Sequence, residues 1–139
     1  MNALFKYAAA AAAGALAAGS IAYAQSASPP RAVISIYHAA PGHQEALLQW
    51  LAQQDRISAA VGLPAAQIYA HTDGDSWDYL MIAPQTTTAQ DQALDAAATK
   101  MGLPSGPRVG LELRKHIASH TDTYVVGPLT AAQQLDRFK

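Results

Sequence analysis

Apolar and polar positions change period several times along this chain, and each change marks an element. Arg31 to Ala39, with its run of β-branched and aromatic residues, predicts a strand. Pro41-Gly42 ends it. Apolar residues then recur at Leu47, Trp50, Leu51, Ile57 and Val61, close to the i, i+3, i+4, i+7 spacing of a helix with one buried face. Gln49, Gln53, Asp55 and Arg56 fall on its other side. At Gly62-Leu63-Pro64 the helix stops. Glycine can take the left-handed position after the cap, leucine folds back on the last turn, and proline cannot continue the helix.

Gln67–Thr72 and Trp77–Ala83 predict two more strands, and Asp73-Gly74-Asp75-Ser76 between them has the turn chemistry of an antiparallel hairpin. Thr88 with Asp91 three residues on is a capping-box-like start for a second helix through Leu94, Ala97 and Met101. That helix stops at Gly102-Leu103-Pro104, the same words that end the first. The repetition hints at a duplicated β-α-β half. Pro107 opens a short third helix expected to hold Val109, Leu113, His116 and Ile117. Thr123–Val126 reads as the last strand, and Thr130 as the cap of a terminal helical turn with Leu135 and Phe138. The order β-α-β-β-α-(α)-β predicts an α+β, ferredoxin-like sandwich: a four-stranded antiparallel sheet with helices on one face.

The strand Val33-Ile-Ser-Ile-Tyr-His-Ala-Ala-Pro-Gly-His43 and the hairpin strand Trp77-Asp-Tyr-Leu-Met-Ile82 give the chain a resemblance to the dimeric α/β-barrel superfamily. This superfamily includes antibiotic-biosynthesis-monooxygenase-like and stress-responsive domains. The resemblance implies a homodimer built by pairing two sheets face to face, with a cleft between sheet and helices. Some members are cofactor-independent oxygenases, some degrade haem, some are cyclases, and many have no assigned activity. The residues themselves call for no cofactor, and the resemblance leaves haem open.

Strand alternation sorts the side chains into two sets. Ile34, Ile36, Ile68, Ala70, Leu80, Ile82 and Val125 form an aliphatic set suited to the face beneath the helices. Val33, Ser35, Tyr37, Tyr69, His71, Trp77, Tyr79, Met81, Tyr124 and Val126 form an aromatic set. Such a face fits a dimer interface, because Tyr and Trp offer large contact area with a polar handle. It also fits a pocket for a flat or apolar small molecule. The two coexist if a lumen survives between paired sheets. On the pocket reading Tyr37, Tyr69, Trp77, Tyr79 and Tyr124 bind the ligand and His71, beside the acidic hairpin, is the candidate catalytic base. On the other reading the domain is a non-catalytic interaction module.

The N-terminus adds a compartment. Met1–Lys6 is a short charged segment, Tyr7–Ala18 an alanine-rich apolar stretch, and Ala22-Tyr23-Ala24 a small-x-small cleavage pattern. Residues 1–24 are therefore expected to be a signal peptide, and the mature protein to be periplasmic or secreted without a membrane anchor. Residues 25–30, Gln-Ser-Ala-Ser-Pro-Pro, read as a flexible tether. Residues 31–139 form a single domain. Cleaving 24 residues from 139 leaves 115, enough for one core. With Lys6 gone, 8 Lys and Arg face 10 Asp and Glu, which gives no basic footprint for nucleic acid.

The chain has no cysteine, so thiol catalysis and thiolate metal sites are excluded. No metal site is expected from the remaining ligand types. His116 and His120 are four apart and would share a face on a continuous helix, but no Glu lies between them. Asp73-Gly-Asp75-Ser-Trp-Asp78 resembles the start of a calcium loop, yet the twelfth position is Pro84. No serine sits in a nucleophile-elbow sequence.

Overall fold

A computed structural model describes residues 30–139. The signal peptide expected over residues 1–24 lies outside the described residues, as do residues 25–29 of the expected tether. The elements are β1 (Arg31–Ala39), α1 (Gln44–Ala60), β2 (Gln67–Ala70), β3 (Tyr79–Pro84), α2 (Thr88–Lys100), α3 (Pro107–Leu113), β4 (Ile117–Val126) and α4 (Ala131–Asp136). The strands make one antiparallel sheet in the order β2-β3-β1-β4. This is the ferredoxin-like α+β arrangement. None of the described helices is long and apolar enough to cross a membrane.

The two repeated helix stops work the same way. After α1, Gly62 has φ of 75°, its N–H donates to Ala59 O, and Leu63 N–H donates to Ser58 O at 3.0 Å. After α2, Gly102 has φ of 69°, and Leu103 N–H donates to Ala98 O at 2.9 Å. Both are Schellman closures, which need a residue at ease with positive φ. Nothing lies within 4 Å of a Cβ built on either glycine, so only backbone strain opposes a side chain there. Gly62→Ala and Gly102→Ala are each expected to lower stability by about 1 kcal/mol, read by urea denaturation.

Several boundaries differ from the sequence expectation. The cap of α2 is Thr87 rather than Thr88. Thr87 Oγ1 accepts from Gln90 N, and Gln90 Oε1 accepts from Thr87 N at 2.8 Å, a reciprocal capping box that uses an amide rather than Asp91. Thr130 caps α4 in the same way. The third helix ends at Leu113, and the last strand begins at Ile117 instead of Thr123. His116 is thus a connector residue and His120 a strand residue, so they share no helix face.

The core lies where α1 and α3 meet the sheet. Leu47 is fully buried, and it packs with Leu51 and Leu113 against Tyr37 and Ala39. Trp50, Tyr79, Met81 and Ile117 close round this cluster. The covered sheet face is therefore the one that carries Ser35, Tyr37, Tyr79 and Met81. This reverses the expectation that the aliphatic set lies beneath the helices. Directly opposed residues share a face. Ile34 opposes Ile82, Ile36 opposes Leu80, and Ala32 opposes Val125, so these aliphatics lie together on the face without helices. Both faces are apolar, and alternation alone cannot say which one the helices take.

The aromatic set also divides. The hairpin puts Ala70 opposite Tyr79 and Tyr69 opposite Leu80. Ile68 and Ala70 thus join the covered face, and Tyr69 joins the open aliphatic one. An even position of β2 faces an odd position of β3, a parity fixed by hairpin length and not by side-chain chemistry. Tyr124 opposes Val33 on the helix side, beyond the helices' cover, and is 72% exposed.

Candidate functional site

The β1–β4 ladder brings together four groups of acid–base chemistry. Ser35 stands opposite Asp122 and Tyr37 opposite His120. Period-two alternation puts all four on the helix side. Ser35 is buried, and its Oγ donates to Asp122 Oδ1 at 2.7 Å. His120 Nε2 lies 3.4 Å from Asp122 Oδ2. The Tyr37 ring is stacked on the His120 imidazole, with centroids 6.0 Å apart and planes 13° from parallel. His120 and Asp122 remain about a third and about half exposed. The cluster thus has a dry floor, Ser35 and Tyr37, and a solvent-reachable rim.

Burial raises the Tyr37 phenol above its ordinary pKa; a hydrogen bond with Ser35 opposes this, and the Asp122 charge adds to it. The phenol is therefore neutral at working pH. The folded chain holds this proton more tightly than the unfolded chain, which titrates near 10. Stability should then be constant with respect to this group below about pH 10 and fall as pH rises from there through the folded value. Tyr37→Phe is expected to flatten that alkaline loss, measured as urea midpoint against pH.

The order of the groups decides the chemistry. The carboxylate sits between hydroxyl and imidazole, so Ser35 donates to Asp122 and not to His120. A serine nucleophile needs the imidazole as its base, and this cluster does not supply that. It supplies an imidazole with a carboxylate 3.4 Å away, a pairing that general acid–base chemistry can use.

His71 and Trp77 form a separate pair at the hairpin. Their rings are 5.1 Å apart at 59°, and His71 Nε2 is buried without a hydrogen-bond partner. The His71 backbone N–H donates to Asp78 O at 3.0 Å. Asp78 itself has a structural role: its Oδ2 accepts from Ala39 N at 2.7 Å, where a register shift ends β1. The row Ala70, Tyr79, Tyr37, His120 crosses the four strands at one level. His71, next along from Ala70, is thus about three strand spacings from His120, each about 4.8 Å. Tyr79 and Tyr37 lie beneath the helices, whereas Tyr69 and Tyr124 are exposed on opposite faces. The five predicted ligand-binding aromatics do not converge on one pocket.

From the sequence, His120 was weighed only as a partner of His116, and Ser35 and Asp122 were given no role in a site. The usable signal was His120-x-Asp122 in an alternating Ser-His-Thr-Asp-Thr-Tyr run, which the helix expected over His116 and Ile117 concealed.

Between the sheet, α1 and α2 lies a small, partly open cavity of about 120 Å³, lined by Leu51, Ile68, Met81, Ala83 and Leu94 among others. Its lining has no histidine, and its volume is below the roughly 300–1,000 Å³ of cofactor-sized sites, so it does not fit haem. Among the described residues no three His, Asp or Glu side chains surround a common point.

No protein-family model and no curated protein matches this chain. Solved structures do. A Pseudomonas aeruginosa protein aligns with TM-score 0.49 and 19% identity over 73% of this chain and 97% of its own. A dimeric Bacteroides fragilis protein of unknown function and ferredoxin-like fold aligns at 0.45 and 10%, over 70% and 95%. A candidate antibiotic biosynthesis monooxygenase of Chloroflexus aurantiacus aligns at 0.40 and 21%, over 72% and 96%. These are similarities of fold.

Proposed function

We propose that the mature protein is an exported homodimer, paired through its aliphatic sheet face. It would bind an apolar or aromatic small molecule on the helix side, with His120 and Asp122 as its acid–base pair. The observation that carries this reading is the division of labour between the two sheet faces. The helix side holds the polar cluster. The open side holds Ile34, Ile36, Leu80, Ile82 and Val125, a contiguous apolar patch of the sort that marks an interaction surface. Pairing two such faces would make the closed barrel implied by the sequence resemblance. Removing a proton from an acidic O–H or C–H is also the step with which a cofactor-independent oxygenase would begin. Export rests on the Met1–Ala24 pattern, and N-terminal sequencing of envelope or medium protein should find Gln25 first.

The test is a thermal-shift screen of phenols, quinones and apolar acids against the mature protein, with light scattering on the same sample. Twice the monomer mass and a stabilising ligand are expected. Binding that Asp122→Asn and His120→Gln leave unchanged would remove the cluster from the account.

Two other readings have their own observations. The unpartnered, buried Nε2 of His71 beside the Trp77 indole keeps His71 as a competing base. His71→Gln would then lower turnover where His120→Gln does not. The apolar face alone would suffice for a non-catalytic module, which would dimerise and bind no ligand in the screen.

A further inference from the structure

The polar side of α1, which the acid–base cluster does not use, forms one wall of a second cleft. The cleft runs between α1 and α3, has a volume of about 850 Å³, and shares no residue with the Ser35–Asp122 cluster. Trp50, Gln53, Arg56, Pro104, Glu112 and His116 are its main features. We propose that this cleft binds a small organic anion with a flat apolar body, an aromatic carboxylate.

The free hydrogen-bonding capacity of the walls points that way. Glu112 is neutralised by Lys115, whose Nζ lies 2.7 Å from Oε2. Gln49, also on the wall, already donates to Glu45 at 3.0 Å. Arg56 is exposed and has no ion pair among the described residues. Its guanidinium presents a planar fork of donors that matches a carboxylate. His116 brings an imidazole whose Nδ1 is buried without a partner, with the His43 ring 6.1 Å away. That nitrogen has no accessible surface, so His116 contributes its ring to the cleft wall and Arg56 supplies the free donors. The cleft thus has donors to spare and its one acid already paired.

The apolar half of the ligand follows from Trp50. Its indole packs against the core on one side and lines the cleft on the other, with Pro104 facing it from beyond α2. The neighbouring wall residues Ala46 and Ala52 are small and leave the ring accessible. A flat ring stacks on such a surface. Gln49, Gln53 and Arg56 follow i, i+4, i+7 spacing, so the donors form a stripe along one edge of the helix.

The probe is 4-hydroxybenzoate, with 4-hydroxybenzamide as its uncharged counterpart. Binding to the mature protein is followed by the two tryptophan indole N–H resonances, assigned with Trp77→Phe. The Trp50 resonance should move and saturate. Arg56→Gln should fold with unchanged melting temperature and bind the carboxylate about tenfold more weakly or worse, and the amide should bind wild type equally poorly. Added salt should weaken carboxylate binding. Asp122→Asn should leave this binding intact, which separates it from the acid–base site. Equal affinity for amide and carboxylate, wild-type affinity in Arg56→Gln, movement of Trp77 rather than Trp50, or no saturation by about 10 mM would each overturn the proposal.

Discussion

Ile36→Asp is expected to leave a folded monomer under conditions where the wild type is expected to dimerise. Ile36 sits mid-strand on the open face, opposite Leu80 on one side and Thr121 on the other. In an isolated chain the new carboxylate would remain in reach of water, because no helix covers that face. In the dimer it would enter an apolar contact between two sheets. The change removes roughly 1.5–3 kcal/mol of burial and adds several kcal/mol of charge desolvation. Twofold symmetry applies the change twice. At about 1.4 kcal/mol per tenfold, the dissociation constant should rise by roughly a thousandfold or more. Light scattering across a dilution series reads this directly. The control is Gln92→Asp on exposed α2, which should remain dimeric. Tyr79→Asp would behave differently, since Tyr79 packs beneath the helices, and should unfold the chain instead.

Asp122→Asn carries the second large effect. The amide retains the shape of the carboxylate and can still accept from Ser35. It loses the negative charge 3.4 Å from the His120 imidazole. For a substrate found in the screen, turnover should fall by roughly 10²–10⁴, the usual worth of a positioned acid–base group. Affinity for the ground state should change much less. Asp122 is about half exposed, so the melting temperature should stay close to wild type. Ser35→Ala should cost less than Asp122→Asn, because it removes one bond to the carboxylate and leaves its charge.

The sequence made the element order legible because punctuation was strong. Pro41-Gly42 and the two Gly-Leu-Pro stops end elements by backbone chemistry that few other residues share. Strand β1 ran over Arg31–Ala39 as read. The pairing of residues into faces was also legible within β1, β3 and β4. Ile34, Ile36, Leu80 and Ile82 do share a face, as do Ser35, Tyr37, Tyr79 and Met81. Which face the helices choose was not legible, because a sheet apolar on both sides gives period two no polar reference. The position of β2 was lost for another reason. Its register depends on how many residues the hairpin spans, and the side chains of Tyr69 and His71 do not encode that count.

The candidate site was hidden by a boundary. Extending the helix opened by Pro107 to Ile117 placed His116 and His120 on one surface and suggested a metal pair to weigh. With the helix ending at Leu113, His116 falls in the connector and His120 in β4, and the pair that matters becomes His120 and Asp122 at i, i+2. His120 then finds Asp122 on its own strand and Tyr37 across the ladder. Ser35 carried no sequence signal at all, since one serine in a hydrophobic strand acquires meaning only from the group opposite it.

The proposed dimer depends on which sheet face meets the second copy. A dimer mixed from isotope-labelled and unlabelled chains, examined for intermolecular nuclear Overhauser effects, addresses this without any mutation. Methyl contacts between copies at Ile34, Ile36, Leu80 and Ile82 are the predicted result. Intermolecular contacts confined to α1, α2 or Tyr124, or none across the dilution range, would contradict it.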